Sequence, residues 1–139
     1  MREIKFRAWD DKDKIMYSDK SLDLVIHFDG ELNSIDPETG EIAGTHYTKE
    51  LSIMQYTGLK DKNGVEIYEG DILEWRYKNM LTGVEVIVRY TVHYSEPSAC
   101  FKTKEHGSVN DTLLMLTLSK DVYVAGNIYE NPKLVTEIN

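Results

Sequence analysis

MQYTGLKDKNGVEIYEGDIL, residues 54–73, carries two tight-turn signals and a strand of period two within a short stretch. Asn63-Gly64 suits the positive-φ geometry of a type I′ hairpin turn. Val65 and Ile67 then share one face, with Glu66 and Tyr68 opposite. Glu69-Gly70-Asp71 turns the chain again, and Asp71 can accept backbone N–H bonds where the next strand begins. Before the first turn Ser52, Met54 and Tyr56 share a parity, and Thr57-Gly58 reads as the end of that run. The stretch is the hinge between an N-terminal part and a β domain.

Downstream, ILEWRY (residues 72–77) sets Leu73, Trp75 and Tyr77 on one face. After a turn over residues 79–83, VEVIVRYTVHY (84–94) is the longest alternating run. Val84, Val86, Val88, Tyr90, Val92 and Tyr94 fall on one side; Glu85, Arg89, Thr91 and His93 fall on the other, with Ile87 as the exception. A strand with one polar face belongs to an antiparallel sheet with one side in water. Pro97 breaks the run. Residues 99–102 read as a short edge strand, and LLMLTL (113–118) as a buried strand in preference to a helical turn. Residues 122–129 alternate again, and the tail from Lys133 reads as a helical turn or a frayed end.

Upstream, Ile4, Phe6 and Ala8 alternate with Lys5, Arg7 and Trp9, DDKD (10–13) turns, and residues 14–17 return, which makes a hairpin. LDLVIHF (22–28) is a further strand, ended by Asp29-Gly30. Residues 31–44 read mostly as loop, with strand fragments at 32–35 and 41–42. From Thr48 a helical turn and a short strand fit equally.

A formal charge of −8 opposes non-specific binding to phosphate backbones or anionic membranes, because that affinity comes from Lys and Arg. Cys100 is the only cysteine, so the chain forms no internal disulfide. The opening MREIKFRAWD has charges between its apolar residues and no signal-peptide core, and no apolar run reaches membrane-spanning length. A cytoplasmic location is the expectation.

Catalytic spacing is missing from the sequence. The four histidines and Cys100 stand apart, without the clustering a zinc site needs, so no metal and no cofactor is expected. Asp10, Asp11 and Asp13 resemble the start of a calcium loop but run into Ile15 and Met16 instead of its glycine and glutamate. No phosphate-binding glycine loop or nucleophile elbow occurs. The aromatics are the better candidates. Tyr56, Tyr68, Trp75 and Tyr77 surround the central turns, with Tyr123 and Tyr129 as potential neighbours, and such side chains anchor protein interfaces. The same residues also suit the core of a small barrel.

Three segments, REIKFRAWD (2–10), QYTGLKDKNGVEIYEGDI (55–72) and GNIYENP (126–132), resemble the YopX family of phage and prophage proteins. Residues 22–49 and 95–119 carry none of its signature. The resemblance implies an SH3-like barrel core and a phage or prophage origin, and it supplies no catalytic residues. The expected fold is therefore mainly β: a small antiparallel SH3-like barrel over residues 51–133, with an N-terminal β-hairpin extension in residues 1–50 and little helix. The expected function is a non-enzymatic phage accessory protein acting as a protein-interaction module in the cytoplasm of the bacterial host. Its partner would be a phage or host bacterial protein, or further copies of the chain. The alternative is a nucleic-acid-associated regulator, which requires Arg2, Lys5, Arg7, Lys60, Lys62, Arg76, Lys78 and Arg89 to gather on one face.

Overall fold

The structure, a computed structural model, describes residues 1–18, 23–27, 31–36, 38–47 and 51–136. The chain forms two units, Met1–Tyr56 and Thr57–Asn139.

In the first unit the expected hairpin is present as β1 (Phe6–Asp10) and β2 (Ile15–Tyr17), with Trp9 opposite Met16. Asp10 Oδ1 closes its turn by accepting from the backbone N–H groups of Lys12 (2.9 Å) and Asp13 (3.1 Å). The segment read mostly as loop is more ordered than its composition suggests. β3 (Asp23–Ile26), β4 (Glu31–Ile35) and β5 (Ile42–Tyr47) form a three-stranded antiparallel meander. Pairing with neighbours overrides a weak local signal here, and Gly44 is tolerated opposite Ser34, next to a register shift. Asp36 makes the turn between β4 and β5, accepting from Glu38 N at 2.8 Å. Ala8, Leu32 and Leu51 form this unit's core. The readings at Leu22, Phe28, Asp29-Gly30 and Thr48 lie outside the described residues.

β6 (Leu51–Lys60) pairs with β1 along residues 51–55 and continues into the second unit. It does not stop at Thr57-Gly58. Gly58 takes φ 84° within the strand. Thr57 Oγ1 donates to the Ile67 carbonyl at 2.8 Å and accepts from Leu59 N at 3.2 Å, carrying the hydrogen bonding past the irregularity.

The second unit contains β7 (Glu66–Tyr68), β8 (Asp71–Lys78), β9 (Glu85–Ser95), β10 (Cys100–Glu105), β11 (Asp111–Leu113), α1 (Leu114–Thr117), β12 (Val122–Asn127) and α2 (Lys133–Thr136). Five of these strands make an antiparallel sheet in the order β11-β10-β9-β8-β12. β11 and β12 are its two ends, so among the described residues the sheet is an open half-barrel. Residues 99–102 were expected at an edge; they open β10, which is interior because β11 pairs outside it. LLMLTL is not a strand but the end of β11 followed by α1. Leu114 and Thr117 turn inward while Met115 and Leu116 stay exposed.

Register settles the two faces. Leu73 lies opposite Tyr90 and Val124, and Trp75 opposite Val88 and Val122; this apolar face carries the core of Ile67, Leu73, Tyr90, Val92, Leu114 and Val122. Burying each such side chain contributes about 1.5–3 kcal/mol. The other face carries the buried Ile72 at one end and is mostly polar beyond it, with Glu74 opposite both Arg89 and Tyr123.

Two turns hold the sheet. Asp71 Oδ2 accepts from Tyr68 N at 2.8 Å in the buried Glu69-Gly70-Asp71 turn. β12 ends at Asn127, whose Oδ1 accepts from Tyr129 N and Glu130 N while Asn131 Oδ1 accepts from Asn127 N. Gly126 leaves room for Asn131: a Cβ there would lie 2.7 Å from Asn131 Cγ and 3.0 Å from its Cβ, with Oδ1 closer still. Gly126→Ala is expected to displace Asn131 and cost about 1–2 kcal/mol, in the range of overpacking. A urea titration against Asn131→Ala, which removes the obstacle, checks this: the alanine at position 126 should cost much less in that background.

Candidate functional site

The four aromatics singled out by sequence separate into two classes. Tyr56 in β6 is 5% exposed, with Lys5 Nζ 5.6 Å from its ring centre. Tyr68 in β7 is also buried, and its hydroxyl donates to Glu66 Oε2 at 3.2 Å. Both are core side chains. Trp75 and Tyr77, two residues apart on β8 and so on one face, are brought together, stacked at 4.3 Å with their planes 28° apart. Lys120 Nζ lies 4.7 Å from the Trp75 ring centre and donates to the Tyr90 hydroxyl at 2.8 Å. This geometry adds cation–π attraction to packing. Tyr77 is the most exposed of the four at 37%.

β8 and β9 are joined by a turn that points apolar side chains into water. Asn79 organises it: its Oδ1 accepts from Leu81 N at 2.9 Å and Thr82 N at 3.2 Å, and its N–H donates to the Val84 carbonyl at 2.8 Å. Gly83 takes φ 71° and donates to the Asn79 carbonyl at 2.7 Å. The turn is complete without Met80 or Leu81, which are 92% and 97% exposed, and Val84 is exposed beside them. Below lies a solvent-open cleft of about 420 Å³ lined by Arg76, Tyr77, Lys78, Gly83 and Glu85. The sequence signal for this site was an apolar pair inside an otherwise polar turn.

On the opposite face of β8, Glu74 is almost wholly buried and holds three groups. Its Oε2 accepts from Arg89 Nε at 2.9 Å, and its Oε1 accepts from Arg76 Nε at 2.5 Å and from the Tyr123 hydroxyl. Arg76 also reaches Glu85 at 3.1 Å, and Arg89 donates to the Leu134 carbonyl at 3.0 Å. Burial pushes the Glu74 carboxyl up, but the hydrogen bonds from Tyr123, Arg89 and Arg76 outweigh it and hold the group below its ordinary value. Burial and the Glu74 bond keep the Tyr123 hydroxyl protonated to higher pH than usual. A carboxylate with both oxygens occupied and a lowered pKa anchors its neighbours; it is poorly suited to donate a proton at neutral pH. Nearby, His106 is pushed down by burial and by Lys104 and Arg89, and its Nε2 lies 2.5 Å from Thr91 Oγ1.

Across the sheet His93 Nε2 lies 3.2 Å from Asp111. Among the described residues no group of three or more His, Cys, Asp or Glu side chains could hold a metal ion, and no helix is long and apolar enough to cross a membrane.

A family model described as YopX protein matches residues 5–136. Protein EF1440 from Enterococcus faecalis has a similar crystal structure, with a TM-score of 0.64 and 30% identity over 97% of this chain and 99% of that one. Protein yopX from Bacillus subtilis is similar in fold, with a TM-score of 0.65 and 19% identity over 100% of both chains. No curated protein matches the chain in sequence.

Proposed function

This chain belongs to the YopX family, and we propose that it is a non-enzymatic phage accessory protein acting as a protein-interaction module through the end of the β8–β9 hairpin. The partner is a phage or host bacterial protein met in the host cytoplasm. The observation that carries this reading is the pair Met80 and Leu81, held almost fully in water by a turn that does not need them. Exposing two large apolar side chains without structural return is a cost that binding would offset. Trp75 and Tyr77 stack at the base of the same hairpin, and Tyr and Trp are the residue types that most often dominate interface energies.

Affinity capture with the tagged full-length chain tests the proposal against Met80→Ser/Leu81→Ser. Both positions are solvent-exposed, so stability should change by less than about 0.5 kcal/mol. The expected result is a near-stoichiometric partner retained by the parent chain and reduced at least about tenfold by the double variant. Equal recovery by both proteins, or no partner with either, overturns it.

A further inference from the structure

β8 is longer than the strand that covers its outer side. β9 pairs with it from Ile72 to Lys78, whereas β12 reaches only from Asp71 to Trp75. The hydrogen-bond phase of the remaining segment follows from its neighbours. Val124 N donates to Asp61 Oδ2 at 2.8 Å, and the Val122 carbonyl accepts from Lys62 N, so both point away from β8. Their partners Leu73 and Trp75 therefore direct their backbone groups toward β9, and Glu74 directs its own toward β12. Continuing the alternation, Tyr77 faces β9, while Arg76 and Lys78 turn N–H and C=O outward, the Arg76 N–H toward Asp121 at the end of β12 and the Lys78 groups past it. Asn79 N bonds to the Val84 carbonyl, which agrees with this phase. The Trp75–Val122 pairing is closed by the Arg76 N–H toward the Asp121 carbonyl, so among the described residues the Arg76 carbonyl and the Lys78 N–H and carbonyl are the outward groups without a backbone partner.

From this geometry we infer that the free edge at residues 76–78 takes an extended acidic segment of a partner protein as an added β-strand. Strand addition supplies main-chain hydrogen bonds, and flanking side chains select the sequence. Here the selection is for negative charge. Lys78 and Lys62 form no ion pair among the described residues, and Lys62 lies 5.4 Å from the ring centre of Tyr123, whose hydroxyl accepts from Arg76 at 3.0 Å. Lys62 and Lys78 are thus the cations left to border the open edge, since Arg76 is already paired with Glu74 and Glu85, and Asp121 precedes Val122 at the end of β12. A second copy of the chain fits worse: two such edges paired antiparallel about Tyr77 would set Arg76 against Lys78 twice, and like charges directly opposite destabilise a sheet. The inference rests on the interaction-module reading and places a second contact beside the Met80-Leu81 tip.

The test uses the isotope-labelled full-length chain and NMR titration with a decapeptide alternating glutamate and valine. Three controls accompany it: a lysine–valine counterpart, the acidic peptide N-methylated on alternate residues, and a single-stranded DNA decamer. The acidic peptide should shift the amide of Lys78 and slow its hydrogen exchange. Methylation, which removes backbone donors and leaves the charge, should weaken binding at least fivefold to tenfold, roughly the worth of one or two hydrogen bonds. Lys78→Pro removes only an outward N–H, a position where an edge strand accepts proline, and should weaken binding similarly while the β9 amides keep their shifts. Equal binding by methylated and unmethylated peptides, tighter binding by the lysine peptide or the DNA, or no binding overturns the inference. Tip-dependent capture that persists when the peptide fails to bind leaves the module reading intact. Peptide binding without tip-dependent capture sinks that reading and not the strand addition.

Discussion

Asp61→Ala is expected to lower the unfolding free energy by about 3 kcal/mol, one of the two largest effects of a single substitution in this chain. Asp61 is 8% exposed and uses both carboxylate oxygens. Oδ1 accepts from Asn63 N at 2.8 Å and Val65 N at 2.9 Å, shaping the Asn63-Gly64 turn, and Oδ2 accepts from Val124 N at 2.8 Å on β12. Hydrogen bonds to a charged acceptor are worth about 1.5–3 kcal/mol each, and truncation also leaves donors without partners away from water. The contributions are not additive, which is why the expected total is near that of one or two bonds. Asp61→Asn separates the roles. Its amide keeps one oxygen for the turn but presents an NH2 group to Val124 N, donor against donor, so it should recover only part of the loss. Urea titration followed by far-UV circular dichroism, at constant m, checks the series. If Asp61→Ala costs less than about 1 kcal/mol, the carboxylate is not what fastens the turn to β12.

The same residue marks how far the sequence can be read. DKNG and EGDI were legible because turn chemistry is local: Asn63-Gly64 and Gly70-Asp71 dictate their geometry from adjacent positions. The alternation of residues 84–94 was legible for a similar reason, since period two assigns each side chain to a face. That Asp61 also reaches Val124, 63 residues later, has no local signature. Neither does the meeting of Glu74 with Tyr123, 49 residues apart. For the candidate site, alternation set Tyr68 opposite Ile67 and left it available to solvent; in fact both are buried, so β7 is covered on both faces and alternation loses its meaning. Trp75 and Tyr77 stayed legible as a pair because they are neighbours on one strand. Met80 and Leu81 were passed over within the turn at 79–83, and their exposure in three dimensions is what marks them as a site. LLMLTL failed for want of length. Five apolar residues and a threonine carry no period, and the turn at Leu114 is set by packing on the core.

Glu74→Ala should destabilise the chain by about 3–4 kcal/mol, because it strands partly buried cations that no other group can neutralise as well. Arg89 is the critical partner: its side chain is 21% exposed, and among the described residues its other hydrogen bond goes to the Leu134 carbonyl. Arg76, at 49%, has Glu85 and solvent to fall back on, so its share is discounted for screening. Glu74→Gln should cost less, since an amide oxygen still accepts from one arginine, yet it cannot serve both guanidinium groups and Tyr123. The pH dependence separates charge from shape. The folded carboxyl lies below its ordinary 4.5, so its contribution is fully present above that value and is lost as pH falls through the lowered folded value. The parent chain should therefore lose stability on acidification across this window more steeply than Glu74→Gln, and the gap between them should narrow. Unfolding titrations from pH 6 to pH 3 read this directly. A gap that stays constant would mean that Glu74 acts by packing and neutral hydrogen bonding alone. The point reaches the proposed interface, because Arg76 is both a partner of Glu74 and a border of the free β8 edge. Glu74→Gln removes one of the two carboxylates that neutralise Arg76 and so makes that edge more positive. Glu74→Gln should thus bind the acidic peptide more tightly than the parent chain even as it unfolds more easily, opposite changes in binding and stability that a general loosening of the fold would not produce.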